Sequence, residues 1–279
     1  MPGLKHNLRQ LLCPQSNTDW GFFLLFLLTR GQRPNGTKLN YKKMRYSIFA
    51  LFALVYVVGC GKKESEKNLH ITGNIDGLKK GTVYIQKISD SSLVAIDTII
   101  IDGDSQFTAD LDIKSPEMYY LFLDRGVTNS LDNNLAFFAE PGQINISTSL
   151  EHFHSDAKIT GSKNHEKYVE FKKVTSRYND SNLTWAGQKI NAYKIGNQKL
   201  IDSIEKLQDL IIKRRYLYTT NFALTNKNME VAPYVALSEI ADINIIYLDT
   251  IRKSMTPDVA KSMYGKKLAD FVKVRKEQQ

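Results

Sequence analysis

The stretch Gln143-Ile144-Asn145-Ile146-Ser147 alternates apolar and polar residues strictly. Eighteen positions beyond its start, Gly161-Ser162 ends that rhythm. From there Tyr168, Phe171, Val174 and Tyr178 recur three or four apart. A period of two places alternate side chains on opposite faces of a strand, whereas three to four gives one stripe of a helix. The change at Gly161-Ser162 therefore predicts an α+β chain: an antiparallel β-sandwich or barrel-like domain over 69–161, then an α-helical region over 162–279.

Upstream of the change the strand signals repeat. Leu69 to Ile75 alternates and ends at the turn pair Asp76-Gly77, and Gly81 to Ile88 alternates again. Leu93 to Ile101 is a β-branched run closed by Asp102-Gly103-Asp104 before Phe107. Met118 to Leu123 and Leu135 to Phe138 are aromatic and aliphatic, and Glu140-Pro141-Gly142 leads into the opening strand. Seven or eight short strands with turns at this spacing suit a sandwich or barrel.

Downstream, Ser162 is a candidate helix cap. A long helix is expected from near Gln188 to Phe222, with Ile201, Ile204, Leu207, Leu210, Ile211 and Leu217 facing one way. Pro233 should lie in the first turn of the next helix, which would carry Leu237, Ile240 and Ile243. Thr256-Pro257-Asp258 opens a short helix that Gly265 is expected to close, leaving Lys266 to Gln279 basic and exposed. Repeats and low-complexity tracts are absent from the 279 residues.

Further out lies the leader. Lys42-Lys43-Met44-Arg45 precedes the apolar run Ile48 to Val58, which ends at Gly59-Cys60. At about 1.5 Å per residue such a run covers roughly half of a ~30 Å hydrocarbon core, so it suits an export signal rather than a span. The segments expected are an upstream extension at 1–43 that precedes the true start at Met44, a lipoprotein signal peptide at 44–59 and a flexible tether at 60–68. A second apolar patch, Trp20 to Leu28, is also too short to span.

Val57-Val58-Gly59-Cys60 resembles the lipobox of bacterial lipoproteins, with valine where leucine is usual. The resemblance implies cleavage between Gly59 and Cys60, diacylation of the Cys60 thiol and acylation of its new amino group. The membrane would then be a partner through lipid on Cys60, in an outer-membrane or periplasmic setting.

The net charge of +9 points to the leader and away from nucleic acid. Residues 1–59 hold eight of the 38 basic residues and one of the 29 acids, so 60–279 is only +2. With Cys13 in the leader and Cys60 consumed by lipid, no thiol remains for a disulfide, metal or redox couple. Cys-x-x-Cys, Gly-x-Ser-x-Gly, phosphate-loop and His-Glu-x-x-His patterns are absent, and neither a catalytic residue nor a cofactor is expected.

The chemistry-bearing cluster that stands out is Glu151-His152-Phe153-His154-Ser155-Asp156, with His165 nearby. On a strand, His152 and His154 would share a face and could meet a metal with Asp156, but two histidines without a third placed ligand are a thin basis. Two half-exposed histidines at a sandwich rim are the expectation. Tyr119-Tyr120-Leu121-Phe122 reads as core before it reads as the floor of a cleft. Lys213-Arg214-Arg215 reads as a solvated helix face.

Taken in order, Ile71-x-Gly73, Gly81-x-Val83-Tyr84-Ile85, Asp102-Gly103-x-x-x-Phe107, Phe138-x-x-Pro141-Gly142-x-Ile144-x-Ile146 and Ile159-x-Gly161-Ser162 with Asn164, Tyr168 and Phe171 form a pattern. It resembles the β-rich domain of unknown function 4369 of exported lipoproteins, over roughly Leu69–Phe171. In many members of that family a thioredoxin-like domain follows a helical spacer, and the family brings no catalytic residues to this stretch. The function expected is a lipid-anchored, non-catalytic envelope module that binds a protein partner. The alternative is the anchor half of a thiol-disulfide oxidoreductase whose catalytic domain lies elsewhere.

Overall fold

The computed structural model describes residues 67–89, 92–126 and 131–278. The expected upstream extension, signal peptide, Gly59, Cys60 and most of the tether lie outside them.

Among the described residues, eight strands form two four-stranded sheets. One has the order β4-β1-β7-β8, from β1 (Leu69–Asp76), β4 (Gln106–Leu111), β7 (Gly142–Ser149) and β8 (Lys158–Thr160). The other has the order β3-β2-β5-β6, from β2 (Lys80–Ser89), β3 (Ser92–Asp102), β5 (Glu117–Asp124) and β6 (Asn134–Ala139). Every pairing is antiparallel except β1 with β7, which run parallel from Leu69 opposite Gly142 to Asp76 opposite Ser149. Alternation alone does not carry strand direction. A parallel pair needs a long crossover, and here the whole second sheet lies in the connection between β1 and β7.

Between the sheets, Leu69, Ile71, Ile75, Ile144 and Ile146 meet Val83, Ile85, Leu121, Leu123 and Phe137 in one core. Gly73 has no side chain because the Phe107 ring occupies that space: an added Cβ would lie 2.2 Å from Phe107 Cζ. The second sheet is apolar on both faces. Tyr119, Leu121, Leu135 and Phe137 point into the sandwich, while Met118, Tyr120, Ala136 and Phe138 point outward beneath the helices. This double burial explains why β5 and β6 read as continuous apolar runs rather than alternations.

Six helices follow: α1 (Lys163–Lys194), α2 (Gln198–Thr225), α3 (Val231–Glu239), α4 (Ile245–Ser254), α5 (Pro257–Lys261) and α6 (Met263–Glu277). Among the described residues, no helix is long and apolar enough to cross a membrane. The expected long helix from Gln188 to Phe222 is two helices. Gly196 takes a left-handed conformation (φ +63°) that ends α1, and the Asn197 side chain accepts from Leu200 N at 3.1 Å to open α2.

Gly265 does not close a helix. It lies in the first turn of α6, where an added Cβ would sit 2.0 Å from Val259 O, so its role is close approach to α5. The C-terminal stretch is not a loose basic tail either. Leu268 and Val272 are buried, and Arg275 Nη1 donates to Ala241 O at 2.6 Å and Ile243 O at 2.9 Å.

The joint between sheet and helices is densely tied. Glu140, just after β6, accepts from Lys163 N at 2.6 Å and Asn164 Nδ2 at 2.7 Å, placing a carboxylate at the positive end of α1. Ser162 caps the same helix by accepting from His165 N at 3.0 Å. Asn164 also donates to Glu230 and accepts from Val231 N at 2.9 Å, which links α1 to α3. Phe138 packs edge-on against Tyr168, Tyr234 and Tyr264, with centroids 5.3 to 6.3 Å apart.

Candidate functional site

At the end of the sandwich where β5 and β7 finish, three adjoining hollows share one residue, Arg125. Leu121 and Leu123 anchor β5 in the core and deliver Asp124, Arg125 and Gly126 to the rim. Gly126 N donates to Asp124 Oδ1 at 2.8 Å, and Arg125 Nη2 donates to Leu150 O at 2.5 Å, so the guanidinium is held against the end of β7.

The wall opposite comes from the turn after β7. Thr148 Oγ1 donates to Phe153 O at 2.7 Å, Ser149 Oγ donates to Asp156 Oδ2 at 2.8 Å, and Asp156 N donates to His152 O at 3.0 Å. Phe153 is 1% exposed and plugs the sandwich core, which leaves His152 and His154 on the solvent side. The first hollow, about 450 Å³, is lined by Arg125, Asp132, Glu151, His152 and His154 among others. Its neighbour of about 530 Å³ adds Asp76, Ser149 and Asp156.

Three sequence candidates therefore meet at one rim, though not as a strand. His152, His154 and Asp156 lie in a hydrogen-bonded turn, because the Thr148 and Ser149 hydroxyls capture the following backbone and carboxylate. Asp156 is turned toward Ser149. Among the described residues, no group of three His, Cys, Asp or Glu side chains is placed to hold a metal ion. Sequence reasoning missed Arg125, since a lone arginine between a strand end and a glycine carries no pattern. Chemically the rim offers a guanidinium and imidazoles to an anionic or hydrogen-bond-accepting group, with carboxylates alongside.

Several groups with displaced protonation equilibria lie elsewhere, in the seam between second sheet and helices. Burial lowers His165 to about 4 against opposition from the Glu140 carboxylate, and its Nδ1 accepts from Phe138 N at 3.4 Å. Burial pushes Tyr168 up to about 12, with Glu239 adding to the effect, and raises Tyr234 and Tyr264 further. These side chains are packed against one another: Tyr234 and Tyr264 have ring centroids 5.0 Å apart, and Tyr264 Oη accepts from Met118 N at 3.0 Å.

Tyr119 and Tyr120 fall on opposite faces of β5, one in each core. Lys213 and Arg214 are exposed, while Arg215 is partly drawn in, donating to Glu239 O at 3.3 Å.

No curated protein and no solved structure matches the chain. A family model does match, over residues 69–168, that of a domain of unknown function, DUF4369. The match takes in the whole sandwich and the first turns of α1, and so includes the rim around Arg125 and the Glu140–Ser162–Asn164 joint. Residues 69–168 of this chain are thus a DUF4369 domain.

Proposed function

We propose that this protein is an exported lipoprotein, anchored through lipid on Cys60, whose sandwich acts as a non-catalytic binding module for a protein partner in the cell envelope. One observation carries the non-catalytic part of the reading. Strongly perturbed ionisable groups ordinarily gather where chemistry is done. Here His165 and the tyrosines are locked in a packed seam, away from the open hollows at Arg125. The rim suits recognition: a guanidinium tied to Leu150 O, with histidines and carboxylates beside it, presents donors and acceptors together to a polar surface of a partner. The anchor rests on the Val57-Val58-Gly59-Cys60 pattern and the apolar run before it.

Two measurements test the reading. The intact mass of native protein extracted with detergent should equal residues 60–279, roughly 25 kDa from ~0.11 kDa per residue, plus two or three acyl chains. An unlipidated mass retaining Met1 would remove the anchor. Cross-linking in intact envelopes should then capture a partner that Arg125→Glu loses and Lys213→Glu keeps. Equal capture by both variants would remove the rim as the binding site.

A second reading starts from the resemblance noted in the sequence, since a thioredoxin-like domain follows the β-rich domain in many proteins of that family. On that reading the protein works with a thioredoxin-like domain encoded beyond Gln279 or supplied by another chain. A Cys-x-x-Cys in the reading frame past Gln279 would favour it.

A further inference from the structure

The apolar residues of α2 divide between two faces. Ile201 and Ile204 are buried against Ala192 and Trp185 of α1. On the same face Gln208 Nε2 donates to Asn182 Oδ1 at 3.0 Å, Arg215 Nη1 donates to Asn179 Oδ1 at 3.3 Å, and Tyr218 stacks on Phe171. Leu200, Leu207, Leu210 and Leu217 lie about a quarter-turn away and are between 39% and 53% exposed. Their steps of seven, three and seven residues put them at the a and d positions of a coiled-coil seam, with Ser203 and Arg214 in the two places between. All six side chains face solvent.

An apolar stripe alone names no occupant, but the order along this one does. The seam runs Leu, Ser, Leu, Leu, Arg, Leu, and has the same polarity read backwards. In a twofold pair each residue meets its mate reciprocally. With the axis between Gln208 and Asp209 and the helices antiparallel, Leu207 faces Leu210 of the second copy and Leu200 faces its Leu217. Ser203 then faces the second copy's Arg214, offering a hydroxyl oxygen to the guanidinium. Sliding the copies by a heptad would set Arg214 against Leu210 or carry Leu217 past the end of the other helix. The flank fits the same register. Lys206 and Lys213 border the seam on the side away from α1, with Asp202 and Asp209 behind them. Lys206 comes within a turn of the second copy's Asp209, and Lys213 within a turn of its Asp202, which offsets the approach of Lys206 to the opposite Lys213. Lys199 comes beside the uncharged Tyr216.

We propose that α2 is a self-association helix, through which two copies of this chain pair α2 with α2 antiparallel along Leu200, Leu207, Leu210 and Leu217. The seam spans about 26 Å at 1.5 Å per residue. Every leucine in it meets a leucine, and neither arginine is left against an apolar layer. The contact uses neither Cys60 nor Arg125, so it stands apart from the anchor and from the rim.

The test is sedimentation of the full-length chain in density-matched detergent over a concentration series. The wild type should pass from one chain to two, and Leu207→Glu with Leu210→Glu should hold it at one. Position 203 then tests the register itself. Ser203→Glu sets a carboxylate opposite Arg214 and should tighten the dimer several-fold. Ser203→Arg should weaken it several-fold, and adding Arg214→Glu to Ser203→Arg should restore it. Circular dichroism matching the wild type shows that each variant is folded, which these exposed positions allow. A wild type that stays single at every concentration overturns the proposal and leaves the stripe to another occupant. A dimer that survives Leu207→Glu with Leu210→Glu overturns it too, as does a dimer indifferent to every change at position 203.

Discussion

His165 makes the stability of this protein depend on mild acid in a way that can be calculated. The side chain is 7% exposed, sits at the third position of α1, and accepts from Phe138 N through Nδ1. Burial disfavours its cation, and the positive end of the helix disfavours it again. The unfolded chain takes up this proton near 6.5 and the folded chain only near 4. Between those values the unfolded state holds more protons, so stability falls as pH drops through that window and is unaffected by His165 above it. At about 1.4 kcal/mol per pH unit, the full effect is about 3 kcal/mol.

The perturbation is His165→Asn, whose side-chain oxygen keeps an acceptor for the Phe138 amide but does not titrate. Urea unfolding followed by circular dichroism at pH 7.0, 5.5 and 4.5 should show the wild type losing about 2–3 kcal/mol more than the variant across that range. Loss of the ring's packing shifts the variant's curve by a constant and leaves the difference in slope intact. Every other side chain is common to both proteins and cancels. Parallel curves, within about 0.5 kcal/mol, would show that His165 is not held neutral by burial, and the reasoning about the seam would fail.

Other consequences follow from single contacts. Gly161→Ala asks a side chain to adopt φ +95° and puts a Cβ 1.9 Å from Gln143 O. A loss of about 3 kcal/mol or more is expected, and an unchanged melting temperature would refute the close approach. Tyr264→Phe leaves the Met118 amide without its acceptor and should cost about 1–3 kcal/mol in urea unfolding, whereas Tyr247→Phe on the exposed side of α4 should cost almost nothing. Lys276, Lys253 and Arg252 hold the Asp249 carboxyl well below the usual carboxylate range. Its contribution is present above 3.8 and is lost as pH falls below that value. Asp249→Asn should therefore flatten the acid limb below about pH 4 while leaving the His165 window unchanged.

Local pattern was enough to place most elements, because strands and helices bury their faces at different periods. The sequence by itself located six of the eight strands, all but β4 and β8, together with the change to helix at Gly161-Ser162, the Ser162 cap and the resemblance to DUF4369. The residues that carry that resemblance toward its end, Phe138, Gly161, Ser162 and Asn164, proved to be at the joint between sheet and helix. Such a role is bound to short-range geometry and so leaves a mark in the chain.

Tertiary structure alone decided the remainder. The parallel pairing of β1 with β7 joins residues about seventy positions apart, and nothing in either strand encodes direction. The break at Gly196-Asn197 was hidden because the apolar stripe resumes on the far side of the turn. The burial of the C-terminal helix depends on Arg275 finding carbonyls 32 and 34 residues earlier in the chain. Arg125 joined His152 only when two strand ends met at one rim. Periodicity records which face a residue turns inward, but not which distant element covers that face.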